Sequence, residues 1–117
     1  MKLQTILMFL LFAGTLSAQG TGRTGEISIK TSAQCDMCKE RIEETLAFTK
    51  GVKKAELDLE SKMVRVVYRK GKTDPADLRK AISAVGYDAD DVAADREAYE
   101  KLPACCKKPD DPGHEGH

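Results

Sequence analysis

The sequence predicts an α+β domain in the order β-α-β-β-α-β, with a four-stranded antiparallel sheet covered on one face by two helices. Three observations lead there. Short runs alternate polar and apolar residues, two stretches space apolar residues by one helical turn, and turn-forming residues separate them. Glu26-Ile27-Ser28-Ile29-Lys30 alternates as a half-buried strand does. A helix follows from Cys38 to about Phe48, with Ile42 and Leu46 one turn apart on its buried face and Phe48 near its end. Lys50-Gly51 closes it, since glycine accepts the left-handed backbone past a helix end. In the next pair of strands Ala55, Leu57 and Leu59 share one face, and Val64, Val66 and Tyr68 share another. Glu60-Ser61-Lys62 forms their hairpin connection. Asp74-Pro75 starts the second helix, an N-cap acceptor followed by proline in the first turn. Leu78, Ala81, Ile82 and Val85 form its apolar stripe, Gly86 ends it, and Tyr87 to Val92 makes a last short strand. That order is the split βαβ, or ferredoxin-like, arrangement.

The flanks read differently. Residues 1–18 have the order of a secretory signal peptide: a positive start at Lys2, an apolar run from Ile6 to Ala13, then small residues through Ala18. The alternative is an uncleaved anchor, but the run is shorter than the roughly 20 residues that span a bilayer. Residues 19–25 form a Gly- and Thr-rich leader, residues 26–93 the domain, and residues 94–117 an extension. Within the extension, Asp95 to Leu102 suits a short helix with Ala98 and Leu102 inward, ended by Pro103. The polar remainder has too little apolar surface to offset its ordering entropy, so a disordered tail is expected.

Composition narrows the chemistry. The 117 residues carry 19 basic and 19 acidic side chains, so the chain lacks the basic face from which nucleic-acid affinity is drawn. It has no Trp and few other aromatics, so base-stacking platforms are missing too. The cysteines remain as the most reactive groups.

Cys35-Asp36-Met37-Cys38 places two thiols, two residues apart, on the turn between the first strand and the first helix. Thiolates are soft donors, which favour Cu(I) and also take Zn(II), Cd(II) or Hg(II). A helix start stabilises a thiolate through its N–H groups and dipole, lowering the proton competition a metal meets. Two ligands satisfy Cu(I) but leave Zn(II) short of its usual four, although Asp36 could complete a harder ion's shell. The pair alone also fits a structural disulfide, a redox dithiol or half of a zinc site. A disulfide here would close a very short loop and add little stability. No proline lies between Gln19 and Thr73 to face a redox dithiol.

Ala33-Gln34-Cys35-Asp36-Met37-Cys38, set in this element order, resembles the heavy-metal-associated domain. The likeness runs from about Glu26 to Val92 and includes Gly51-Val52, Ala81-Ile82 and Gly86-Tyr87. That family includes copper chaperones, N-terminal modules of metal-exporting ATPases and periplasmic mercury-binding proteins. The resemblance implies Cys35 and Cys38 as ligands and a metal-transporting ATPase, or another metal-accepting protein, as partner. Bacterial members often place a tyrosine beside the metal, and Tyr87 matches that position; by itself it reads equally as a core-edge aromatic. The family usually has methionine two residues before the first cysteine, packed beneath the loop, where this chain has Ala33. That departure bears on loop rigidity and metal affinity.

Cys105-Cys106 falls outside the usual domain. Adjacent cysteines make a strained disulfide, which disfavours mutual bridging. The tail either folds back to supply further thiolates, passes metal to a partner, or takes no part. Lys107 and Lys108 would favour thiolates there. His114 and His117 are candidate ligands on what reads as a solvated terminus. The expected function is that of an exported, periplasmic or secreted, metallochaperone or scavenger. It would hold Cu(I), with Zn(II) or Hg(II) as alternatives, and release it by ligand exchange, with no enzymatic activity and no stable membrane insertion after signal removal. The competing reading is a small thiol–disulfide oxidoreductase with Cys35 as nucleophile and Cys38 as resolving thiol.

Overall fold

The computed structural model describes residues 23–110. The signal segment, most of the leader, and His114 and His117 lie outside those residues. Alternation produces three strands: β1 (Thr24–Lys30), β2 (Val52–Asp58) and β3 (Met63–Arg69). They pair antiparallel in the order β1-β3-β2. The register lines up rows of inward residues, with Ile29 and Leu57 flanking Val64, and Ile27 and Ala55 flanking Val66. β1 begins two residues before the expected Glu26. Gly25 stands opposite Tyr68, and a Cβ there would lie 2.8 Å from the tyrosine ring. Glycine in the expected leader is therefore part of the sheet.

Helix α1 (Asp36–Ala47) buries Cys38, Ile42 and Leu46 against the sheet. It starts earlier than the Cys38 expected from sequence, because Cys35 already has the extended backbone of an N-cap and its carbonyl accepts from Lys39. Phe48, expected near the helix end, is its C-cap and is 83% exposed, since the chain has left the helical path by then. α1 also protects an open edge of the sheet. The Leu57 N–H donates to Glu43 at 2.8 Å, and the Lys39 ammonium donates to the Leu57 carbonyl at 3.0 Å and to Glu43 at 2.6 Å. Two backbone groups of an edge strand are thus satisfied by one helix face.

Helix α2 (Pro75–Ala84) begins at Asp74, whose carboxylate accepts from the Asp77 N–H, and buries Leu78 and Ile82. Gly86 ends it at φ +102°, and a Cβ there would lie 3.1 Å from the Ala98 carbonyl oxygen. Only glycine meets both demands.

The predicted fourth strand does not form among the described residues. Its place is taken by two isolated bridges, Thr31 to Ala89 and Ala89 to Val92. The reason is a tight reversal. Asp90 has a left-handed backbone at φ 54°, and Ala89 and Val92 exchange backbone hydrogen bonds, so the segment folds on itself instead of running along β1. Asp90 stands in for the missing ladder, accepting from the Lys30 N–H through its carboxylate at 2.9 Å and donating its own N–H to the Lys30 carbonyl. The α+β class and the order of the first five elements follow the prediction; the sheet has three strands, not four.

The extension follows expectation in its short helix and inward Leu102, and departs from it after Pro103. Helix α3 (Arg96–Glu100) starts on Asp95, and a 3₁₀ turn spans Ala104–Cys106. Leu102 and Cys106 belong to the hydrophobic core, with Tyr99 packed against it. Cys106 and Tyr99 add apolar surface to the expected Leu102, and as far as Asp110 the disorder expected of the tail is not seen. Among the described residues no helix is long and apolar enough to cross a membrane.

Gly86→Ala tests the link between α2 and α3. It forces both a left-handed alanine and a clash with the Ala98 carbonyl, so urea unfolding should show a loss of about 1–3 kcal/mol.

Candidate metal centre

Three segments converge at one end of the sheet: the β1–α1 loop, the turn after α2 and the 3₁₀ turn of the extension. The first is fixed by Thr31, whose hydroxyl donates to the Lys62 carbonyl and accepts from the Ala33 N–H. Ala33, where the resemblance implies methionine, is fully buried in the same core cluster as Leu102 and Cys106. The second segment is tied to the first by the Asp88 N–H, which donates to the Ser32 hydroxyl at 2.9 Å. The third is tied to the second by Lys108, whose ammonium lies 2.6 Å from the Asp88 carboxylate. The Lys108 N–H also donates to the Tyr99 hydroxyl at 2.9 Å.

This arrangement gathers four thiols. Cys35 occupies the N-cap of α1 and Cys38 the third helical position. Their sulfurs are 3.4 Å apart. The Cys35 sulfur is also 3.5 Å from that of Cys105 and 3.7 Å from that of Cys106. Cys35, Cys105 and Cys106 together form a group whose sulfurs all lie within 4.8 Å of one another. All four cysteines are free; Cys38 and Cys106 are buried, Cys35 half-buried and Cys105 exposed. Asp36 is exposed and stands outside the group, so it does not fill the role of a harder donor considered from sequence. Lys107 and Lys108 are not turned to the thiols as expected. Lys107 lies over the Tyr99 ring and donates to the Glu100 carbonyl, and Lys108 is taken by Asp88.

The electrostatics divide the sulfurs. Burial pushes the Cys35 thiol up, but the Cys38 backbone N–H and the thiols of Cys38, Cys105 and Cys106 outweigh it and bring its pKa down to about 7. Burial holds the Cys106 thiol well above the ordinary range, and the neighbouring Cys38 thiol adds to that. Cys105 is also pushed up, chiefly by its bond to Cys35. Of these three sulfurs Cys35 therefore gives up its proton most readily.

Tyr87 sits beneath the cluster, fully buried. Its hydroxyl oxygen has no hydrogen-bond partner among the described residues. Burial, aided by the thiols of Cys106 and Cys38 beside it, raises its pKa, so it remains a neutral O–H donor. An unpaired buried hydroxyl costs about 1–3 kcal/mol. A charged metal–thiolate group beside it would give the proton an acceptor.

The sequence located the Cys35–Cys38 pair and the position of Tyr87. It left the contribution of Cys105 and Cys106 open, did not single out Asp88, and gave Lys108 a role beside the thiols where the structure pairs it with Asp88. An acidic residue directly after a candidate metal-side tyrosine, with a basic pair beside a second cysteine pair, was the available signal.

Comparison with known proteins points the same way. The heavy-metal-associated domain matches residues 32–88. The chain is 39% identical over 54 residues to a copper chaperone CopZ of Staphylococcus haemolyticus, covering 46% of this chain and 79% of that protein. A solved CopZ metallochaperone superposes with a TM-score of 0.53 at 29% identity, covering 56% of this chain and 98% of that one. The water-soluble region of the P-type ATPase CopA from Bacillus subtilis superposes with a TM-score of 0.54 at 31% identity, covering 56% of this chain and 44% of that one.

The division among the sulfurs has a measurable sign. Alkylation of the reduced, metal-free protein at Cys35 should rise with pH and reach half its maximum near pH 7, against 9.0 for an ordinary thiol. Cys106 should stay unreactive across that range. The depressed pKa stabilises the fold fully above the unfolded value of 9.0, and that contribution fades as pH falls through about 7. Peptide mapping after timed iodoacetamide treatment checks the order.

Proposed function

Because this chain belongs to the heavy-metal-associated domain family, we propose that it is an exported copper-handling protein that takes up Cu(I) on Cys35 and Cys38 and passes it on. The observation that carries the reading is the thiol pair at the start of α1, 3.4 Å apart, with one sulfur titrating near neutrality. Soft thiolates suit Cu(I), and a low proton affinity at Cys35 lets the metal bind near pH 7. The relatives described as copper chaperones support copper as the cargo, and they support a carrier over an enzyme.

Transfer proceeds by ligand exchange. An incoming thiolate forms a bond to copper as one of the two cysteine sulfurs leaves and takes up a proton; the copper stays Cu(I) throughout. A chaperone needs a partner with its own thiol pair, and the likeness to the soluble region of CopA makes a copper-transporting ATPase module the natural acceptor. Export is read from the order of residues 1–18, and with it the encounter would fall in the periplasm or outside the cell.

Competition of the reduced chain against a chromogenic Cu(I) chelator tests the binding. Stoichiometric uptake is expected, with affinity falling at least about tenfold in Cys35→Ser. A reduced chain that takes up none of Cu(I), Zn(II) and Hg(II) overturns the reading. Insulin reduction with full turnover in the presence of chelator would replace it with the oxidoreductase.

A further inference from the structure

We propose that Cys35 is the shared ligand of two alternative donor sets: the Cys35–Cys38 pair, and a three-sulfur set completed by Cys105 and Cys106 of the chain's own extension. The inference rests on the copper-binding reading above and adds to it a closed, self-ligated form.

The geometry points to this division. A metal bound at about 2.3 Å to each sulfur puts two sulfurs about 4.6 Å apart when they stand opposite one another, and three sulfurs about 4.0 Å apart when they form a triangle. Cys35 lies 3.5 Å from Cys105 and 3.7 Å from Cys106, and all three sulfurs fit within 4.8 Å. A triangle around one ion needs only small outward shifts there. The Cys35–Cys38 pair, at 3.4 Å, must open by more than an ångström to hold an ion linearly. With the extension docked, the three-sulfur set is nearer to a working coordination shape than the pair is.

The extension is held for that purpose by contacts that do not involve sulfur. Lys108 reaches Asp88 at 2.6 Å, and its backbone N–H reaches Tyr99 at 2.9 Å. Leu102 and Cys106 are buried in the same core as the β1–α1 loop's Ala33. Tyr87 supplies an independent sign of a charged occupant: its hydroxyl is buried and unpaired, beside Cys38 and Cys106. Three thiolates around Cu(I) carry a net charge of −2, which a neutral O–H donor would stabilise.

The consequence is control over release. In the closed form a partner's thiol meets copper already carrying three sulfurs, one of them on buried Cys106. When the extension lifts, Cys105 and Cys106 leave and take up two protons, one of them given up by the Cys38 thiol as its sulfur bonds to the metal and the other drawn from solvent. The copper remains Cu(I) and is left on the pair at the start of α1, open to exchange.

The experiment compares the full mature chain with its Cys105→Ser/Cys106→Ser variant, both reduced and loaded with one equivalent of Cu(I). X-ray absorption should count three sulfurs in the first and two in the second. Cu(I) loss to a dithiol chelator should be about tenfold faster from the variant. A second measurement needs no substitution: Cys105, exposed without metal, should become protected from alkylation when one Cu(I) is added. Two sulfurs in the unaltered chain, an unprotected Cys105 and equal release rates overturn the shared-ligand proposal and leave copper binding by Cys35 and Cys38 standing. Failure of the unaltered chain to take up Cu(I) at all removes both.

Discussion

The backbone and side chain of Asp88 hold together the three segments that carry the sulfurs. Its N–H donates to Ser32 in the loop before α1, and its carboxylate accepts from Ala94 and from the Lys108 ammonium. Burial raises the affinity of this carboxylate for a proton, but Lys108 and the Ala94 N–H outweigh it and keep the pKa below the usual range. The group is therefore charged under ordinary conditions, which is what its partners require. Without it the loop holding Cys35 and the turn presenting Cys106 would lose the polar contacts that tie both to the turn after α2, and would lean more on apolar packing. Apolar packing is non-directional and sets separation less sharply than a hydrogen bond does.

The sheet supplies the rigid base for that alignment. Ile29, Val64 and Leu57 form one row across the three strands, and α1 lays Ile42 and Leu46 against the same core. Cys38 is part of this packing, so one thiol of the pair is fixed with the helix. Cys35 sits one step outside it, at the N-cap, and reaches every other sulfur described. This asymmetry explains why Cys35, and not its partner, is the point where two donor pairs meet. It also explains the order of ionisation: the sulfur with the most donors around it gives up its proton most readily.

The missing fourth strand and the ordered extension are two sides of one arrangement. In a four-stranded sheet, residues after α2 would run the length of β1. Here the reversal at Asp90 cuts that run short, and Arg79 holds the Asp90 carboxylate at 2.8 Å. The chain then crosses back through α3, whose start is tied to α2 by the Asp95 N–H on the Ser83 carbonyl. That path delivers Cys105 and Cys106 to the thiol pair. A longer last strand would have carried the chain away along the sheet.

Much of this was legible from the chain alone. Alternation in β1 and β3, the Asp74-Pro75 start of α2 and the glycine at its end are local signals, each fixed by backbone preferences within a few residues. The Cys35–Cys38 spacing at a strand-to-helix turn was equally local, and it carried the soft-metal chemistry with it. The place of Cys105 and Cys106 was not legible, because it depends on contacts 70 and 71 residues apart in sequence. Nor was the reversal at Asp90, since Tyr87 to Val92 alternates well enough for a strand, and the turn that excludes it is held by the Ala89–Val92 exchange and by bonds from Lys30 and Arg79 to Asp90. Short-range preferences wrote the elements and one pair of donors; the meeting of that pair with a second was decided by packing and charge between distant segments, which no local pattern encodes.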